Sequence, residues 1–257
     1  MKKELPLYEN KNYYSVGKYL TESKESYNRL LDYTLLKSNI TTDQLKNHCD
    51  TAIENNVYAI CIPPEFVSTA KGFLQDENVK IVTVISFPKG TDKTIQKVRE
   101  ADKALAEGAD EIDMVMNYKK LKSLSELEIG SEKYEKEYFD ILDDIRQVAE
   151  LVHKEGKTIK VIIESGDLTF DQVRTACEMC VTAEVDFVKT STGFAPSGIG
   201  AELDKVKYMR RILPDKMQIK ASGGIRTLDQ VKQFAPYVDR IGTSVIPGSE
   251  LPETDGY

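Results

Sequence analysis

The chain has 257 residues, of which 40% are hydrophobic and 30% are charged, and its 35 basic and 42 acidic residues give a net charge of −7. This composition can form a hydrophobic core, so global disorder is excluded, and the acidic balance disfavours nucleic-acid binding, which usually requires a basic surface. No apolar stretch approaches the roughly 20 residues of a membrane span, and the N-terminus, MKKELPLYENKNYYSV, lacks the apolar segment of a signal peptide, so we expect a cytoplasmic protein.

Short β-branched or apolar segments alternate with helical patterns along most of the chain. Residues 1–30 are polar and rich in tyrosine, and we expect them to form an N-terminal extension with a short helix near residues 24–30. From residue 31 the alternation is typical of βα units around a parallel sheet. The eight predicted strands are residues 31–36, 57–62, 80–87, 110–116, 158–164, 185–191, 218–223 and 240–245.

Helix-start signals agree with this division. Thr42 is predicted to cap the first helix, and Pro63-Pro64 opens the second, where a missing N–H costs nothing. Eight units without a Pro/Gly/Ser-rich linker predict one α/β domain, a (β/α)8 TIM barrel over residues 31–250, followed by a tail at 251–257. The main alternative, an open doubly wound sheet, normally has a glycine-rich turn after its first strand, and residues 36–42 contain no glycine.

Histidine and cysteine are scarce. The two histidines, His48 and His153, exclude a metal site built from several histidines, and the four cysteines are too few for a disulfide framework in a chain of this length. Cys177 and Cys180 form a C-x-x-C pair, but it lies within a predicted helix and no second pair exists to complete a zinc site. We interpret the pair as two small apolar groups on one helix face.

Two lysines occupy unusual positions in the predicted barrel. Barrel strands are buried on both faces, so a charge within one requires an explanation, and the catalytic groups of barrel enzymes lie at the C-terminal ends of strands. Lys189 lies late in the sixth strand, and Lys220 has the corresponding position in the seventh. Burial and a neighbouring positive charge both lower a lysine's pKa, and a neutral lysine can form a Schiff base with a carbonyl carbon. A pair on adjacent strands favours a functional site over two lysines that merely reach solvent or pair with carboxylates.

Carboxylates and a cysteine are predicted near the same mouth. Asp113 in the fourth strand, Asp32 in the first and Glu164 at the end of the fifth could each neutralise a lysine or move protons, and the sequence does not divide these roles. Lys160, early in the fifth strand, is assigned to the structural end of the barrel. Cys61 ends the second strand and is either a small packing residue or a reactive thiol.

Glycine and hydroxyl residues follow the last strands. Gly223-Gly224 comes after the seventh strand, Gly242-Thr243-Ser244 lies within the eighth, and Thr192-Gly193 follows the sixth. Barrels often bind phosphate at the loops after strands seven and eight, where backbone N–H groups can approach an anion. These residues predict a phosphorylated ligand.

Six segments resemble deoxyribose-phosphate aldolase, a family of lysine-dependent (class I) aldolases. They are residues 32–36, 59–62, 108–113, 160–164, 187–193 and 220–226, which occur in the family's order and span nearly the whole barrel. The K-T-S-T-G motif with a downstream K-x-S-G-G is the most specific part. The resemblance implies an aldehyde-lyase that reversibly cleaves 2-deoxy-D-ribose 5-phosphate to D-glyceraldehyde 3-phosphate and acetaldehyde, without a metal or an organic cofactor.

The resemblance also implies roles for individual residues. Lys189 matches the Schiff-base lysine. Lys220 matches a second lysine that lowers the pKa of the first and takes part in proton transfer, and Asp113 matches a proton-relay carboxylate. The implied substrate-binding residues are Asp32, Cys61, Thr192, Gly193, Gly223, Gly224 and Ser244.

Two positions depart from the family's pattern. Val245 stands where many relatives have a second serine, and Phe194 occupies a position that is lysine in some relatives and phenylalanine in others. These differences bear on phosphate affinity more than on aldol chemistry. Two other functions stay open, namely a related lysine-dependent aldolase with a different aldehyde pair and a non-catalytic barrel that binds sugar phosphates.

The expected partners are small molecules, a phosphorylated sugar and acetaldehyde, with no nucleic acid and no membrane. The family is compatible with a monomer or a homodimer. Tyr257 could fold over the phosphate site, but a disordered end is the expectation for a terminus.

Overall fold

The computed structural model describes residues 27–75 and 77–247. Within them, eight parallel strands close into a barrel in which each strand pairs with its neighbours in the chain and the last pairs with the first. This confirms the (β/α)8 barrel expected from the sequence, and each predicted strand contains the observed one. The strands are β1 (Leu31–Thr34), β2 (Ala59–Ile62), β3 (Lys80–Ile85), β4 (Glu111–Val115), β5 (Thr158–Ile162), β6 (Phe187–Lys189), β7 (Gln218–Ser222) and β8 (Arg240–Thr243).

Helices connect the strands and cover the outside of the barrel, and the connection after β4 contains two of them. None of the helices in the described residues is both long and apolar enough to cross a membrane. The helices are α1 (Thr42–Glu54), α2 (Val67–Leu74), α3 (Thr94–Ala106), α4 (Tyr118–Leu124), α5 (Glu132–Lys154), α6 (Phe170–Thr182), α7 (Leu203–Ile212) and α8 (Leu228–Phe234).

The first helix is capped one residue earlier than predicted. Thr41, rather than Thr42, is the N-cap, because its hydroxyl accepts from the Gln44 N–H at 3.2 Å while the Gln44 side chain accepts from the Thr41 N–H at 2.9 Å. This reciprocal pair requires a spacing of three residues. Pro64 opens a short 3-10 turn that leads into α2, as expected of a proline at a helix start.

The predicted terminal segments lie largely outside the described residues. This applies to the N-terminal extension before residue 27, to the tail at 251–257 and to Tyr257.

The interior of the barrel has an apolar side and a charged side. On β2 and β3, Ala59, Cys61, Val82 and Val84 form a buried apolar cluster with Leu36. The remaining strands bring charged side chains into the interior, and all of them are buried. These charged residues are Asp32, Glu111, Asp113, Lys160, Lys189, Lys220 and Arg240.

Candidate active site

Asp113 stands at the centre of the charged side and contacts three lysines. Its Oδ2 atom accepts hydrogen bonds from Lys189 Nζ at 2.7 Å and from Lys220 Nζ at 2.8 Å. Its Oδ1 atom accepts from Lys160 Nζ at 2.8 Å. The strand register explains this arrangement, because Asp113 is level with Lys160 and Lys189 is level with Lys220. The two lysines of the predicted pair therefore meet at one carboxylate oxygen.

Asp32 extends the network across the closure of the barrel. Lys220 Nζ donates to Asp32 Oδ2, and Arg240 Nη1 donates to Asp32 Oδ1 at 2.9 Å. Lys220 thus lies between two carboxylates, Asp32 and Asp113, whereas the ion pair of Lys189 is with Asp113.

The connected network contains one more cationic side chain than carboxylates. A buried excess of positive charge is costly, so the network favours the loss of a proton from one of its cations. The cationic side chains are Lys160, Lys189, Lys220 and Arg240, and the carboxylates are Asp32, Glu111 and Asp113.

Among the four cations of the network, Lys189 is the one whose pKa is lowered. Burial lowers the pKa of Lys189 below its usual 10.5, and the charge of Lys220 lowers it further, although Asp113 acts in the opposite direction. Burial also acts on Lys220, but Asp113 and Asp32 outweigh it and raise the pKa of Lys220. For Asp113, burial is outweighed by the surrounding lysines, which hold its pKa well below 3.8. The site therefore places an amine with a lowered pKa beside an ammonium with a raised pKa.

Cys61 lies in the apolar cluster at the edge of this network. It is fully buried, and burial raises the pKa of its thiol. A buried neutral thiol is a weak nucleophile, so the structure favours the packing interpretation of Cys61 over the reactive one.

The predicted phosphate-binding residues lie in the loops at the C-terminal ends of β6, β7 and β8. Gly193, Gly223 and Gly224 have φ angles of 87°, 87° and 80°, which side-chain-bearing residues rarely adopt. Gly193 and Gly224 are exposed, whereas Thr192 and Ser244 are buried. All five residues are therefore at the end of the barrel where enzymes of this fold bind their ligands.

Three residues of the network were not predicted as site residues, namely Glu111, Lys160 and Arg240. Lys160 was assigned to the structural end of the barrel, yet its Nζ contacts Asp113 directly and Glu111 Oε2 at 2.5 Å. Arg240 stacks on the ring of Tyr58, with its guanidinium carbon 3.4 Å from the ring centroid. A usable signal was present, because each of the three is a charged residue inside a predicted strand.

The C-x-x-C pair lies in α6, as predicted, and does not form a site. Cys177 and Cys180 are both buried free thiols, and burial raises the pKa of Cys180 to about 12. Among residues 27–75 and 77–247, no group of three or more His, Cys, Asp or Glu side chains is arranged to hold a metal ion.

Comparisons with known proteins agree with this geometry. A model of the DeoC/LacD family aldolases matches residues 29–242. The deoxyribose-phosphate aldolase of Thermococcus kodakarensis is 41% identical over 225 residues, which are 86% of this chain and 94% of the relative. That of Caldicellulosiruptor saccharolyticus is 38% identical over 224 residues, which are 86% of this chain and 96% of the relative.

Solved structures give the same result. The crystal structure of a putative deoxyribose-phosphate aldolase from Coccidioides immitis superposes with a TM-score of 0.78 at 35% identity, covering 95% of this chain and 88% of the other. The deoxyribose phosphate aldolase from Aeropyrum pernix, whose structure is described as a unique tetramer, has a TM-score of 0.76 at 27% identity and covers 89% and 91%. With the family model matching most of the barrel and these relatives similar over nearly their full length, the chain belongs to the DeoC/LacD aldolase family.

Proposed function

We propose that the chain is an aldehyde-lyase that reversibly cleaves 2-deoxy-D-ribose 5-phosphate to D-glyceraldehyde 3-phosphate and acetaldehyde through a Schiff base on Lys189. The observation that supports it most strongly is the single Asp113 oxygen shared by Lys189 and Lys220. A free amine beside an ammonium and an ionised carboxylate is the set of groups that imine chemistry requires.

Imine formation begins with attack of the Lys189 amine on the aldehyde carbon, C1, of the open-chain sugar. The carbinolamine that results loses its hydroxyl as water, for which an acid must supply a proton. We assign this role to the Lys220 ammonium, which is linked to the Lys189 nitrogen through one oxygen. Asp113 Oδ2 lies 2.8 Å from the Lys220 nitrogen and 2.7 Å from the Lys189 nitrogen. A proton can therefore pass between the two amines through one carboxylate oxygen.

Carbon–carbon cleavage follows from the charge on the imine nitrogen. The C2–C3 bond breaks as a base removes the proton of the C3 hydroxyl, which leaves glyceraldehyde 3-phosphate, and the bonding electron pair forms an enamine on Lys189. The enamine takes a proton at C2, and water then hydrolyses the imine, releasing acetaldehyde and the free amine. Asp113 and Lys220 are placed to transfer these protons, and the buried cations stabilise the charge that develops.

The phosphate would bind at the loops that follow β6, β7 and β8. Their glycines have positive φ angles and carry no side chain that would obstruct an anion, which supports roles for Gly193, Gly223 and Gly224. Thr192 and Ser244 would add hydroxyl groups. Asp32 and Cys61 would shape the deeper part of the pocket beside Lys220.

One observation favours the related aldolase with another aldehyde pair. Phe194 is 40% exposed at the mouth and packs edge-on against Phe87, with ring centroids 5.4 Å apart. This part of the rim supplies an apolar surface in place of a cation for phosphate. A non-catalytic sugar-phosphate binder is disfavoured, because binding alone does not require a buried amine with a lowered pKa.

The experiment that tests the proposal is a retro-aldol assay. We expect the kcat/KM for 2-deoxyribose 5-phosphate to exceed that for unphosphorylated 2-deoxyribose by about 100-fold, because phosphate contacts contribute binding energy to the transition state. Lys189→Leu should lower the rate by about 1,000-fold or more. Lys46→Leu, at a surface lysine of α1, is the matched control and should leave the rate unchanged.

The two main alternatives predict different results. Equal rates for the two sugars would support the aldolase with a different aldehyde pair. Full activity of Lys189→Leu would contradict the Schiff-base assignment.

We also propose a cytoplasmic location, which is supported by four cysteines that are all buried and free. The division into an extension at 1–30, a barrel at 31–250 and a tail at 251–257 stays a prediction, as does the homodimer. Light scattering of the purified protein tests the latter, with a mass of two chains as the expected result.

A further inference from the structure

Glu164 combines full burial with an unusual backbone conformation. It follows β5 at the C-terminal end of the barrel, and its φ and ψ angles are 55° and 54°, in the left-handed region. Its relative exposure is 0%. A non-glycine residue in this region is strained and persists only where its surroundings hold it, and such residues cluster at functional sites.

Both carboxylate oxygens of Glu164 accept hydrogen bonds from Thr192 in the loop after β6. The Thr192 N–H donates to Oε1 at 3.1 Å, and the Thr192 hydroxyl donates to Oε2 at 2.5 Å. The Thr192 hydroxyl oxygen in turn accepts from the Phe194 N–H at 2.9 Å. A single buried carboxylate therefore fixes residues 192–194, including the exposed Gly193 between them.

The loop after β6 is also fixed at its other end, at residues 199–201, by close backbone contacts. A Cβ atom on Gly200 would lie 2.1 Å from the Gly223 carbonyl oxygen, and the Ala201 N–H donates to that oxygen at 3.1 Å. A Cβ atom on Gly166 would lie 2.4 Å from the Ile199 carbonyl oxygen. The loops after β5, β6 and β7 thus touch one another, and the Glu164 side chain anchors the β6 loop where it leaves the strand.

We propose that Glu164 is a positioning residue that holds residues 192–194 in the geometry that binds the phosphorylated end of the substrate. It acts through Thr192 and does not touch the reacting atoms, since the ion pair of Lys189 is with Asp113. This inference rests on the proposed function and deepens it by naming what sets the affinity for the phosphorylated substrate.

The test separates phosphate binding from imine chemistry. Glu164→Gln keeps the volume of the side chain but replaces one accepting oxygen with an NH₂ group, which cannot accept from Thr192. We expect the KM for 2-deoxyribose 5-phosphate to rise about 10-fold while kcat changes less than about 3-fold. Borohydride trapping of acetaldehyde on Lys189 should keep the rate of the original chain, because acetaldehyde has no phosphate.

Three further variants distinguish a specific effect of Glu164 on KM from a general effect on folding. Glu164→Gly suits the left-handed backbone and should give the same rise in KM if Glu164→Gln folds poorly. Glu184→Gln is the matched control, because Glu184 is also left-handed, with a φ of 57°, but is exposed and precedes β6 at the other end of the barrel. It should leave KM unchanged. Thr192→Val should raise KM, and adding Glu164→Gln to it should raise KM little further, since the two residues act as one unit.

The outcomes distinguish this inference from the proposed function. An unchanged KM in both Glu164 variants, with normal trapping on Lys189, would overturn the positioning role and leave the aldolase assignment standing. Loss of trapping in a folded Glu164 variant would also overturn it, because Glu164 would then act in the imine chemistry. If the original chain traps no acetaldehyde, the proposed function fails and this inference fails with it.

Discussion

Lys189 and Lys220 donate hydrogen bonds to the same oxygen of Asp113, and the three groups set one another's pKa. Lys220 has Asp32 as a second partner and keeps its charge, and that charge opposes protonation of Lys189. The pKa values of two chemically identical side chains therefore shift in opposite directions because Lys220 contacts two carboxylates and Lys189 contacts one.

This electrostatic coupling gives a prediction for Lys220→Met. Because the reaction needs the neutral amine, kcat/KM should rise with pH through the lowered pKa of Lys189. Removing Lys220 removes a cation that disfavours the protonated form, so the acid limb of the profile should move to higher pH by about 1 unit. Under the proposed role of Lys220 as a proton donor, the substitution should also lower kcat by about 100-fold or more.

The measurement is the pH dependence of kcat/KM for the retro-aldol reaction in the original chain, in Lys220→Met and in the surface control Lys46→Met. An acid limb at the same pH in all three proteins would show that Lys220 does not influence the amine.

The sequence indicates which residues face the site better than it indicates their partners. Charged residues inside predicted strands, together with the family resemblance, were enough to select Asp113, Lys189 and Lys220. It could not pair Arg240 with Asp32, because these residues are 208 positions apart in the chain and meet only where β8 closes on β1. The contact between Lys160 and Asp113 was missed for a similar reason, since the position of Lys160 along its own strand does not show that Asp113 lies level with it.

At the scale of elements, all predicted strands except the second extend beyond the observed ones at the C-terminal ends, where the site lies. The predicted strand 80–87 stops at Ile85 because Ser86 has a φ of 51°, and the predicted strand 158–164 stops at Ile162, with Glu164 at a φ of 55°. Neither serine nor glutamate favours this conformation by itself. Contacts distant in the chain hold both residues, such as the 2.8 Å bond from the Ser86 N–H to Glu100, so local sequence patterns could not reveal them.

His48 links α1 to β1 and responds to pH. Its ring stacks on Tyr33, with centroids 3.9 Å apart and an interplanar angle of 18°, and its Nε2–H donates to the Tyr33 carbonyl oxygen at 3.1 Å. Burial lowers the pKa of His48 from 6.5 to about 4. In the folded protein the imidazole is therefore neutral under conditions in which the unfolded chain binds a proton.

We predict that this linkage weakens the fold in mild acid. The contribution of neutral His48 to stability is fully present above pH 6.5 and is lost progressively as the pH falls from 6.5 to about 4. At pH 5 the loss should be about 2 kcal/mol. Urea unfolding at pH 7 and pH 5 measures it, and His48→Gln should show a smaller decline between these pH values. An equal decline in both proteins would contradict the assignment.

At the scale of the whole molecule, the site exists only in the closed barrel. The charged network takes side chains from β1, β4, β5, β6, β7 and β8, whereas β2 and β3 supply the apolar wall. No pair of adjacent strands contains the complete set, so activity depends on the register of the entire sheet. The eightfold βα pattern was visible in the sequence because it is local and repeated, whereas the network depends on closure, which is not local.

The most direct test of the central claim is to treat the protein with acetaldehyde and borohydride and to map the modified peptide by mass spectrometry. The reduced imine leaves an ethyl group on the lysine that formed it. We predict that this group appears on Lys189 and not on Lys160 or Lys220, and that its yield rises with pH through the lowered pKa of Lys189. Modification of Lys220 in place of Lys189, or no stable adduct at any pH, would contradict the account.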